Sequence, residues 1–237
     1  MNASRKSSCS ERTVAVVFFP DFAPLDAYGP IQAFNLAFKP LDSAPEKPDM
    51  ESPLYKIIPV GVDTTVYTCG PTGAAPGTQA TNTIETLPPV DILLIPGGGG
   101  TRPGVNDTAL LDGIDKIARN TPIVATVCTG SALLAKTGYL NGKKATTNKT
   151  AWKWVIQQGP EVDWVCPPRW VDCIDPDSLT GWITSGGVSA GTDMALGLIQ
   201  KLNGDQVVST TQRQMEYNWS GDSQDDHFAC LCPKPVV

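Results

Sequence analysis

The chain has 237 residues, of which 41% are hydrophobic and only 18% charged, which suits one α/β domain with a sizeable core. A net charge of −6 and the lack of clustered Lys and Arg exclude a nucleic-acid surface. No apolar run approaches the roughly 18 residues needed to cross a bilayer, and the start "MNASRKSSCSERT" passes into "VAVVFF" without a cleavage site, so neither a membrane nor a secretory partner is expected.

The run "TVAVVFF" from Thr13 is β-prone throughout, as in a strand covered on both faces, and "PDFAPLDAYGPIQAFNLAF" reads as loop then helix. The Pro-rich, charged stretch from Lys39 to Pro53 predicts an exposed loop, before "YKIIPVGV" returns to strand. The turn-rich stretch Thr68 to Thr78 predicts a short hairpin. "DILLIPGGGG" is a buried strand running into four glycines, and "NDTALLDGIDKIARN" has helical spacing with Asn106 or Asp107 as its cap. "TPIVATV" is the next strand, and "TGSALLAKTGYL" a helix ending near Gly138. A short strand "KKATT", a helix "TAWKWVIQQ", and two strands broken by Pro167 and Pro168 follow. Last come a strand "GWITSGG", a helix begun by Ser189 and a helix from Gly204 to Tyr217.

Alternating strands and helices predict a three-layer sandwich: one domain over residues 1–237, with a mostly parallel sheet between two helical layers and loosely held tails at 1–12 and 221–237. In such sheets ligands sit beyond the carboxyl ends of the strands, where the candidate chemistry falls.

Cys128 sits between the strand "PIVATV" and a small-residue helix start, the pattern of a nucleophile elbow, where backbone N–H groups and the helix dipole are expected to lower its pKa. Local pattern leaves a buried core cysteine as the alternative. The run Gly97 to Gly100 has the wrong spacing for a dinucleotide or P-loop site, and suits either a turn with N–H groups facing a substrate or a purely structural turn. The one histidine, His227, lies in the polar tail, and with Cys230 and Cys232 it makes only a faint metal pattern, so no metal is expected. Asp21, Asp26 and Asp193 are acids at strand ends, and Asp21 suits a turn role. The seven cysteines are odd in number and scattered, which predicts mostly free thiols in a reducing cytoplasm.

The segments "VCTGSALLAKTGYLNGKKATTN", "PGGGG", "PLDAYGP" and "ITSGGVSAGTDMAL" together resemble the ThiJ/PfpI superfamily, whose fold is flavodoxin-like and akin to class I glutamine amidotransferases. Within it the chain is most similar to isocyanide (isonitrile) hydratases and to the amidase-like domains of AraC-type regulators. The resemblance spans about residues 13–219. It implies Cys128 as nucleophile and Asp26 as general acid and base. It also implies substrate-facing N–H groups from Gly98, Gly99 and Thr129, pocket walls at Val188 and Thr192, a homodimer, a small-molecule substrate and no cofactor. Hydration of an isocyanide to an N-formamide through a thioimidate on Cys128 is the activity implied. Another small electrophile such as an α-oxoaldehyde, or a redox sensor without turnover, are alternatives. In one respect the chain departs from the pattern: bacterial hydratases carry a His-Trp pair after "ATT", where Asn148 and Lys149 stand here.

Overall fold

The computed structural model of the chain describes residues 11–70 and 76–233. In chain order its elements are β1 (Arg12–Val17), α1 (Pro24–Asn35), β2 (Phe38–Leu41), β3 (Ala44–Pro53), β4 (Tyr55–Gly61), β5 (Val66–Thr68), β6 (Gly77–Gln79), β7 (Asn82–Thr83), β8 (Ile92–Ile95), α2 (Thr101–Gly104) and α3 (Thr108–Ala118). There follow β9 (Ile123–Val127), α4 (Gly130–Lys136), β10 (Lys144–Ala145), α5 (Trp152–Gln158), β11 (Asp163–Trp164), β12 (Trp170–Ile174), β13 (Gly181–Ser185), α6 (Ala190–Asn203) and α7 (Asp205–Met215).

Seven strands form the central sheet in the order β12-β13-β9-β8-β1-β4-β7. All its pairings are parallel except the antiparallel edge between β12 and β13. The central strands are apolar without alternation because both faces are covered: Val14–Val17, Ile92–Ile95 and Val124 are each solvent-inaccessible or nearly so. One helical group packs as α1, α6 and α7, the other as α2, α3 and α5 around α4. Gly29 lets α1 approach α6 closely, since a Cβ there would lie 2.3 Å from Thr192 Oγ1. Among the described residues no helix is long and apolar enough to cross a membrane.

β1 leads outward to β4 and β7, and the chain then returns to β8 on the other side of β1. That reversal opens a crevice at the carboxyl ends of β1, β8 and β9, the place where open α/β sheets bind ligands.

Two sequence expectations need correction. Lys39 to Pro53 is not a loop: β2 and β3 pair antiparallel, with Pro40 opposite Pro48 and register shifts on either side. A two-stranded ribbon outside the main sheet tolerates such prolines, and α7 supports it, with Arg213 donating to the Glu46 carbonyl at 2.7 Å.

The second correction is the tail. Residues 221–233 are fastened back onto the body, and Asp226 is only 3% exposed at its side chain where it pairs with Lys149. Arg12 belongs to β1, while the rest of the supposed N-terminal tail, 1–10, lies outside the described residues. The described cysteines are mostly free thiols, as expected: Cys69, Cys128, Cys173 and Cys230 are free, Cys166 and Cys232 form a disulfide with their Cα atoms 5.8 Å apart, and Cys9 lies outside the described residues. The short helix α2 after the glycine run was not anticipated. The expected hairpin around Thr68 to Thr78 is β5–β6, its tip at 71–75 being outside the described residues.

Candidate functional site

Cys128 follows β9 directly and adopts φ 57°, a left-handed conformation that costs a non-glycine residue energy unless its surroundings hold it. They do so at every backbone group. Its N–H donates to the Ser185 carbonyl at 3.2 Å, and its carbonyl accepts from Thr147 Oγ1 at 2.9 Å and from Ser131 Oγ at 3.1 Å. Gly130, the first residue of α4, packs where a Cβ would sit 2.3 Å from the Ile95 carbonyl oxygen, so only glycine lets the elbow lie against the end of β8.

Around the sulfur stand three groups. Asn148 Nδ2 donates to Sγ at 3.2 Å. The orientation of that amide is fixed by its own oxygen, which accepts from Thr150 N at 2.8 Å, Thr150 Oγ1 at 2.6 Å and Ala151 N at 3.1 Å. The Thr129 N–H is turned on the sulfur as a second donor, and the third neighbour is the carboxyl of Asp26. Asp26 comes from the first turn of α1, entered through Pro24, and is completely buried. Its Oδ2 accepts from the Gly97 N–H at 3.0 Å, and its Oδ1 has no conventional hydrogen-bond partner among the described residues.

Burial dominates the electrostatics. It pushes the Asp26 carboxyl up to about 7, only partly opposed by the Gly97 N–H and the Cys128 thiol. Burial, and then the charge of Asp26, push the Cys128 thiol up to about 12 against the donors Thr129 N–H and Asn148. The expectation of a lowered thiol pKa is thus reversed. Cys128 is only 6% exposed, and the seven-residue α4 brings too little dipole to offset desolvation beside a carboxyl group. The pair titrates as a unit.

Gly98 does not keep a free N–H for a substrate here, because it donates to Thr129 Oγ1 at 3.1 Å. Gly98 also has φ +128°, so it is a glycine by conformation as well. Gly99 is exposed and lies against the Asp21 carboxylate, where a Cβ would be 2.1 Å from Oδ2. Asp21 is a turn residue at φ 58°. Thr192 faces Gly29 across the α1–α6 contact and serves packing in place of the expected pocket wall. Asp193 forms an ion pair with Arg169. His227 is exposed.

A cavity of about 300 Å³ opens beside the elbow, lined by Leu25, Asn148, Lys149, Arg169, Val188 and the tail residue Phe228, among others. Val188 is one of its lining residues, and Asn148 links the cavity to the sulfur. No group of three or more His, Cys, Asp or Glu among the described residues could hold a metal ion. The sequence reading passed over Asn148 as a contact to the thiol, although its position after "ATT" had marked it as a departure. Lys149 had been marked in the same way, but nothing in the sequence linked it to Arg169 and Asp226, which gave no signal at all.

The profile of the DJ-1/PfpI family matches residues 12–201. An isonitrile hydratase of Pseudomonas putida is 35% identical over 139 residues, a stretch that spans 59% of this chain and 57% of that relative, little more than half its length. Among solved structures, a ThiJ/PfpI family protein from Pseudomonas syringae superposes with TM-score 0.71 at 24% identity, over 88% of this chain and 76% of that one. Drosophila melanogaster DJ-1beta superposes with TM-score 0.68 at 16% identity, over 89% of this chain and all of that one.

Proposed function

The chain belongs to the DJ-1/PfpI family, and on that premise we propose that it hydrates an isocyanide to an N-formamide, with Cys128 as nucleophile and Asp26 as the group that moves protons. The observation that carries this reading is the pairing of a thiol on a left-handed elbow with one buried carboxyl and one fixed amide donor, while the chain's single histidine lies exposed elsewhere. Isocyanide hydration needs that set and no more. The similarity to an isonitrile hydratase supports the same substrate class.

The chemistry balances with one thiol, one carboxyl and one water. With Asp26 near 7 and the thiol near 12, the state above neutral pH is a carboxylate beside a thiol. Asp26 takes the thiol proton as sulfur bonds to the terminal carbon of R–N≡C, and delivers it to that same carbon, giving the thioimidate R–N=CH–S–Cys128. Water then adds to the carbon as Asp26 takes one of its protons and passes it to the nitrogen, giving R–NH–CH(OH)–S–Cys128. The hydroxyl proton moves to Asp26 as the C–S bond breaks, Asp26 returns it to the sulfur, and R–NH–CHO departs with the thiol restored. The Asn148 amide and the Thr129 N–H stabilise the sulfur while it carries negative charge. A buried thiol whose pKa is raised speaks against the redox-sensor alternative, which needs an accessible thiolate. Ultraviolet absorbance of an aryl isocyanide is the test: wild type forms the formamide and Cys128→Ser does not, whereas an inert wild type refutes the proposal.

A further inference from the structure

The outer wall of the cavity is made by residues beyond the family match, which ends at residue 201. The segment from Ser223 to Cys232 crosses the body and carries Asp226, Phe228 and Leu231 to the lining. Three kinds of link hold it. The Ser223 carbonyl accepts from the Arg169 N–H at 2.8 Å, and the Cys166–Cys232 disulfide pins the far end. Between them Asp226 pairs with Lys149 Nζ at 2.6 Å and lies 3.7 Å from Arg169 Nη1. Lys149 also donates to the Pro168 carbonyl at 2.9 Å, and Arg169 is shared with Asp193.

These links decide what the cavity can take. Both of its cations are already matched, Lys149 by Asp226 and Arg169 by Asp193 and Asp226, so an anionic ligand gains no unpaired charge there. Apart from the hydroxyl residues Thr150 and Ser189, what remains facing the space is largely apolar: Leu25 at 47% exposure, Val188 at 40%, Phe228 at 57% and Leu231 at 49%, large hydrophobic side chains gathered around one opening. The polar floor is Asn148, which also touches the nucleophile.

We infer that the segment Ser223–Cys232 is a substrate-selecting strap, in which Phe228 and Leu231 receive the apolar substituent of a neutral substrate whose reacting carbon is directed past Asn148 to Cys128. This deepens the proposed hydration by naming its substrates as isocyanides with aryl or bulky alkyl groups, and it rests on that reading only for the isocyanide itself.

The test compares wild type with Phe228→Ala and Leu231→Ala on two alkylating reagents sharing one reacting group, iodoacetamide and its N-phenyl anilide. The rate of Cys128 modification is read by peptide mass spectrometry. Both side chains are half-exposed, so truncation removes wall and not core. The expected result is that each variant lowers the anilide-to-iodoacetamide rate ratio, by roughly tenfold for Phe228→Ala. An unchanged ratio, or equal changes in both rates, overturns the strap as a selecting wall. In parallel, kcat/KM for phenyl isocyanide is expected to fall relative to methyl isocyanide. Should neither isocyanide be hydrated while the alkylation ratio still falls, the hydratase reading fails and the strap stands.

Discussion

Replacing Asp26 by Asn removes a carboxyl that the fold holds at about 7 when its unfolded value is 3.8. The sign follows from proton counting. Between those two values the folded chain binds more protons than the unfolded one, so Asp26 costs the fold nothing in acid, an increasing amount as pH rises from 3.8 to 7, and a constant amount above. The shift of 7 − 3.8 = 3.2 units caps that cost at about 4 kcal/mol, and the part that develops between pH 4.5 and 8 is about 3 kcal/mol. Asn keeps an oxygen for the Gly97 N–H and adds no titration, while burial, the first cause of the thiol's raised pKa, keeps Cys128 protonated at both pH values. Urea denaturation of both proteins at the two pH values isolates the effect, because all other titrating groups cancel in the difference. Asp26→Asn is expected to gain about 3 kcal/mol on wild type between pH 4.5 and pH 8, whatever constant offset the substitution brings. A difference in stability that does not change with pH would show that burial does not raise Asp26, and would remove the basis for its role as proton carrier.

The same titration sets the rate. The reactive state of the Asp26–Cys128 pair holds one proton, and it forms as pH rises through about 7, so kcat/KM for a neutral isocyanide should climb about tenfold per unit below pH 7 and level off above it. A flat profile from pH 5.5 to 8.5 would contradict this. Asn148→Ala deletes a donor to the sulfur at 3.2 Å, and alkylation of Cys128 by iodoacetamide at pH 8 is expected to slow by about tenfold. Alkylation at the wild-type rate would mean that the amide does nothing for the thiolate.

The elbow was legible in sequence because all its determinants are local. A β-branched strand, Cys128, and the small residues Thr129, Gly130 and Ser131 follow one another, and the fold shows why Gly130 must be glycine, since the carbonyl of Ile95 excludes a Cβ there. Asp26 was placed beside Cys128 by resemblance, and the geometry that joins them depends on the strand order β9-β8-β1, which a pattern of alternating strands and helices does not specify. The pKa of the thiol was misjudged for a related reason. Donors at the elbow are local and readable, whereas desolvation is the sum of every element packed over the site, and here it wins. Polarity misled most strongly in the tail. Asp222 to His227 has the composition of a solvated end, yet its energy is decided by one buried contact, Asp226 with Lys149, and by one covalent link, Cys232 with Cys166. Lys149 itself is the more telling case. Where the bacterial pattern has an aromatic side chain, a buried ammonium requires a counter-ion, and among the described residues that counter-ion comes from the segment that also carries Phe228 and Leu231 to the cavity. A substitution beside the nucleophile and a polar tail far along the chain are therefore two halves of one arrangement.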